Sequence, residues 1–122
     1  MGSPDNVTFD ENGMNAAIQF HILEDDEMRN AGFSDHREDN WYLVKRVYSD
    51  KYITITLNID IPKDSKKRGE IYTLDESFLQ PYNYQEHMDK PIAQEVAKNV
   101  EDELERLSDL GIISGHNRGD YI

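Results

Sequence analysis

The chain contains no cysteine. That absence excludes disulfides, thiolate catalysis and any zinc site built on sulfur. Nor is there an apolar run near the roughly 20 residues that a membrane-crossing helix needs. The opening residues lack the basic and apolar regions of a secretory leader. Asn6 stands where a myristoylation signal requires Ser or Thr. These absences set the expectation of a cytoplasmic location. Phosphate loops are missing too: Gly69 is isolated, and Gly111-Ile112-Ile113-Ser114-Gly115 lacks a following lysine. No Gly-x-Ser-x-Gly elbow occurs, so a serine-hydrolase arrangement is set aside.

What is present is acid. The 122 residues carry a formal charge of −12, with 31% charged and 37% hydrophobic residues. Residues 1–40 hold ten acids against Arg29 and Arg37, and so supply most of the excess. A surface of this sign repels nucleic-acid phosphates and anionic lipid headgroups. Direct nucleic-acid and membrane binding are therefore disfavoured, and a basic partner is favoured. The length suits one domain with one core. Residues 1–13 read as a flexible segment, 14–113 as a single α+β domain and 114–122 as a loose tail.

Hydrophobic periodicity supplies the architecture. Ile18, Phe20 and Ile22 alternate with Gln19 and His21, which predicts a strand over 15–23. Residues 24–40 read as a long polar connection, with room for a helical turn near Asp26 to Asn30. Trp41 to Tyr48 and Tyr52 to Ile61 form a hairpin rich in aromatic and β-branched residues. Ile53, Ile55, Leu57, Ile59 and Ile61 share one face; Tyr52, Thr54, Thr56, Asn58 and Asp60 share the other. An apolar face backed by a wet face implies an antiparallel sheet covered on one side. Residues 70–74 return as a further strand, and Phe78, Leu79, Pro81, Tyr82 and Tyr84 are expected to anchor an irregular stretch. A helix follows from about Lys90 to Leu110, with Ile92, Val96, Val100, Leu104, Leu107 and Leu110 as its apolar stripe. Gln94, Lys98, Glu101, Asp102, Glu105 and Asp109 take its opposite side, and Gly111 is a left-handed stop. The expected fold is thus α+β: a three- or four-stranded antiparallel sheet, of order β-β-β-β-α, under a long C-terminal helix.

Several constellations suggest chemistry. His21 precedes Glu24, Asp25 and Asp26, and His36 lies among Asp35, Glu38 and Asp39. Such oxygen and imidazole donors suit a divalent cation, which would make a metal-dependent hydrolase of the 21–39 region. However, no HExxH or EF-hand spacing accompanies them, and neither a metal nor another cofactor is assigned. Asp60 with Lys63 or Glu70 could form a nuclease-like cluster, but the global charge opposes phosphate approach. The basic loop Lys63-Asp64-Ser65-Lys66-Lys67-Arg68 reads as a solvated hairpin tip. On the helix, Lys98 and Arg106 stand at salt-bridge spacing from Asp102.

A non-enzymatic interaction module accounts for these features best. Its contact residues are expected to be Glu24, Asp25, Asp26, Glu27, Asp35, Glu38 and Asp39, joined by Trp41 and Tyr52 from the aromatic sheet face. Because neighbours on a strand alternate, either Trp41 or Tyr42 must point outward. Inhibitors, immunity proteins, accessory proteins of mobile elements and nucleic-acid mimics share this acidic physical profile. A homodimer through the exposed sheet is the remaining alternative.

Overall fold

The computed structural model describes residues 18–35, 39–64 and 69–116. The expected flexible segment 1–13 and most of the basic loop (65–68) lie outside them. The architecture is α+β, as the periodicity implies, with a four-stranded antiparallel sheet in the order β2-β3-β4-β5. Here β2 is Asn40–Ser49, β3 is Thr54–Pro62, β4 is Glu70–Asp75 and β5 is Gln80–Pro81. The helix α2, Pro91–Leu110, packs over one face of this sheet.

The β2–β3 hairpin is the backbone of the fold. Trp41 pairs with Ile61 and Leu43 with Ile59, and Leu57 and Ile55 continue this apolar row along β3, with Lys45 opposite Leu57. Ile55, Leu57 and Ile59 have no exposed surface, nor do Val96, Val100, Leu104 and Leu107 of α2. Each such side chain contributes about 1.5–3 kcal/mol by leaving water. Ala93 and Ala97 are buried as well, and their small side chains let the helix backbone approach the strands. A bulge at Val47 breaks the ladder between Arg46 and Tyr48. The Val47 carbonyl accepts a 2.7 Å hydrogen bond from Asn99 Nδ2 of α2, so the helix satisfies the group that the bulge releases. Lys45 sits on the covered face without breaking the core because it reaches Glu103 at 3.6 Å.

The start and stop of α2 follow their chemistry. Lys90 is the N-cap and Pro91 takes the first helical position, where its missing N–H costs nothing. Gly111 adopts φ 87°, and the Gly111 and Ile112 N–H groups close back on Ser108 and Leu107. That stop aims Ile112 into the core and sends the chain into β6, Ile113–Ser114.

Several expectations change. The first strand does not join the main sheet: β1, Gln19–Phe20, pairs with β6 to make a separate two-stranded sheet. The polar connection holds a true helix, α1, over Asp25–Asn30. Thr56 and Asn58 belong to the open face yet are buried, because neighbouring side chains cover them. Phe78 and Leu79 are not packing anchors: they are 70% and 77% exposed, while Tyr84 enters the core. Leu110 lies at the end of the stripe and is exposed. Glu101 is buried rather than solvated, and His116, in the segment read as a loose tail, is buried against it at 2.9 Å. Arg106 bonds Glu103 at 3.0 Å, and Lys98 bonds Asp102 at 3.2 Å.

Gly69 shows how tightly the hairpin and β1 meet. A Cβ there would overlap the Phe20 ring and press on the Asp60 carbonyl. Gly69→Ala is expected to destabilise the fold by about 1–3 kcal/mol through overpacking. An unchanged denaturation midpoint would show that the Phe20 ring swings aside freely.

Candidate functional site

The acidic run is organised by helix formation. Glu24 is the N-cap of α1, and its N–H donates to Glu27 Oε1 at 3.2 Å. Asp25, Asp26 and Glu27 occupy the first turn, where the partial positive charge of the helix N-terminus favours carboxylates. The opposite side of this short helix is anchored: Met28 and Ala31 are buried, and the Ala31 carbonyl accepts from Arg106 Nη2 at 2.7 Å. Four consecutive carboxylates are thereby held exposed on a seated support. No side-chain hydrogen bond or ion pair engages Asp25 or Asp26 among the described residues.

The other acids of the region have structural work. Asp35 Oδ2 bonds Arg29 at 3.2 Å and Lys63 at 3.6 Å. Both cations also stand over the Trp41 ring, at 5.5 and 5.0 Å from its centroid, where the negative face of the ring attracts them. Asp39 is exposed, and its carbonyl accepts from the Lys63 N–H at 2.8 Å. Glu38 and His36 lie outside the described residues.

Trp41 is only 1% exposed. It occupies the covered face, so its indole cannot form part of an exposed contact surface, and Tyr42 is the outward member of the pair. The Tyr42 hydroxyl donates to Asn58 Oδ1 at 3.0 Å; Asn58 Nδ2 donates to Thr56 Oγ1 at 3.0 Å; the Thr56 hydroxyl donates to Glu76 Oε2 at 2.7 Å. Tyr72 stands beside this chain on β4, opposite Asn58. Burial, with Tyr42 next to it, pushes the Tyr72 phenol above its ordinary range. A hydrogen-bonded row therefore runs across the open face from tyrosine to carboxylate and holds its side chains in place.

Tyr52 is separate from that row. It projects from the β2–β3 turn and is 77% exposed. Asp50 builds this turn by accepting from the Tyr52 and Ile53 N–H groups and from the Tyr48 hydroxyl. These donors, the Tyr52 N–H foremost, hold the Asp50 carboxyl below the usual aspartate range. The expected contact residues thus divide into an acidic helix beside the start of β2, a polar open face, and a turn at the far end of the hairpin.

Among the described residues no three His, Asp or Glu side chains converge as a metal site. The His21 ring bonds Ser114 Oγ at 2.7 Å instead of joining Glu24–Asp26. Asp60 accepts from Asn40 Nδ2, and Lys63 turns away to Asp35. No described helix is long and apolar enough to cross a membrane. Comparison with protein-family models, with curated proteins and with solved structures finds no match.

Proposed function

We propose that this chain is a small non-enzymatic interaction module that docks on a basic protein surface in the cytoplasm. The carrying observation is the exposed carboxylate row Glu24–Glu27 on an anchored helix, with Asp25 and Asp26 lacking a counter-cation among the described residues. A surface protein ordinarily intersperses both signs; here the excess is left facing outward. The tyrosine row of the open face supports the same reading, since preordered aromatic and amide groups lose little conformational entropy on contact. Inhibition or occupation of a basic site on a nucleic-acid enzyme would use this charge in the same way.

Affinity capture from the source cells, followed by kinetics with the purified basic partner, tests the reading. Replacing Asp25 and Asp26 with lysine is expected to slow association about tenfold at low salt. The difference should shrink as salt shortens the screening length to a few ångströms. Partners without a basic surface, or an association rate indifferent to the double replacement, would remove the proposal.

A further inference from the structure

Two turns at the far end of the main sheet carry a second feature, which neither the core nor the acidic helix explains. Tyr52 projects from the β2–β3 turn, and Phe78 and Leu79 from the β4–β5 turn; all three are at least 70% exposed. The turns are tied together, since the Glu76 N–H donates to the Thr54 carbonyl at 2.8 Å and Ser77 Oγ to the Tyr52 carbonyl at 3.4 Å. The apolar side chains therefore belong to one tip. Exposed large apolar groups gathered in one place mark contact sites more often than isolated ones do.

Backbone strain singles out the same tip. Leu79 has φ 53°, and no other described residue except glycine has a positive φ. Glycine or asparagine would ordinarily occupy such a position. The chain carries leucine instead and gains no burial from it. The turn is nevertheless well braced: the Ser77 N–H donates to Asp75 Oδ1 at 2.9 Å, and the Tyr82 N–H donates to the Thr73 carbonyl at 3.0 Å. Strain that is held by its surroundings and displays an apolar group outward is the signature of a prepared anchor.

Charge and size select the occupant. The two turns bear Asp50 and Glu76 against Lys51, on a chain of net charge −12. Like charge opposes a second copy and an anionic bilayer alike. Three side chains also fall far short of the roughly 800 Å² per partner that a stable dimer needs. A two-residue edge strand ending in Pro81, which has no N–H, offers little to a pairing strand. We infer that Tyr52, Phe78 and Leu79 insert as a knob into an apolar cleft rimmed by lysine or arginine on a partner protein. This site is distinct from the acidic helix: α1 leads to Ser34, which bridges Tyr42, seven residues before Ser49 and hence roughly 23 Å along the strand.

The test places p-benzoylphenylalanine at position 78 of the full chain in the source cells and irradiates them. The expected result is an adduct to another protein, at a peptide containing apolar and Lys or Arg residues. With that protein purified, Phe78→Ser and Leu79→Gly should each raise the Kd at least tenfold. Leu79→Gly is the control for folding, because glycine accepts φ 53° and the Tm should hold or rise. Asp25→Lys with Asp26→Lys should leave the 78 adduct in place, which separates this site from the acidic helix. No adduct, an adduct to a second copy, or binding indifferent to Leu79→Gly overturns the inference. So does sedimentation with phosphatidylcholine vesicles that Phe78→Ser abolishes.

Discussion

Trp41→Ala is expected to destabilise the protein by about 3–5 kcal/mol and to lower Tm by roughly 10–25 °C. The indole is all but fully buried opposite Ile61, and its ring also receives the Arg29 and Lys63 cations. Truncation would leave a cavity under the hairpin and loosen the ion-pair cluster of Asp35 with Arg29 and Lys63. Thermal and denaturant unfolding give the measurement. A variant that melts like the parent but loses its partner would return Trp41 to the contact surface and contradict its placement in the core.

The buried pair Glu101–His116 should behave differently from a core aliphatic. Both side chains are at most 2% exposed and lie 2.9 Å apart. His116→Leu would remove one hydrogen-bond partner from the Glu101 side chain, which has no exposed surface, at a cost of about 1–3 kcal/mol. Replacing both with leucine should recover much of that loss, because an apolar pair needs no desolvation to be offset. A double-mutant cycle on unfolding free energies measures the coupling. A double-variant loss equal to the sum of the two single losses would mean that the pair makes no net interaction and that His116 is held by packing alone.

Strong periodicity made part of the fold readable. The hairpin alternation from Ile53 to Ile61 and the stripe from Val96 to Leu107 each repeat over several turns, and both faces fell where the pattern placed them. Gly111 declared its own stop through its freedom at φ 87°. What escaped lay at single positions whose environment is tertiary. Glu101 reads as solvent-facing by helical angle, and only the return of the chain through β6 buries it. Thr56 and Asn58 alternate correctly but are roofed by neighbours on adjacent strands. Phe78 and Leu79 have the composition of packing residues; nothing local reveals that Leu79 adopts a left-handed backbone which lifts them away. The contact residues divided similarly. Glu24–Glu27 are exposed as their charge suggests, whereas Asp35 is taken up by cations from Arg29 and Lys63, residues distant in sequence from one another. Trp41 and Tyr42 were a choice of two that only the pairing register could settle.

The rims of the main sheet have a bearing on how the chain survives at high concentration. On one side β5 is two residues long and finishes in Pro81; on the other Ser34 bridges Tyr42, and Lys45 and Arg46 follow along β2. A short edge strand ending in proline and charged residues along the other border both work against edge-to-edge pairing, the step that fibril growth uses as a template. The molecule can therefore display sticky side chains at a turn while making its sheet borders poor ladders for a neighbour to extend.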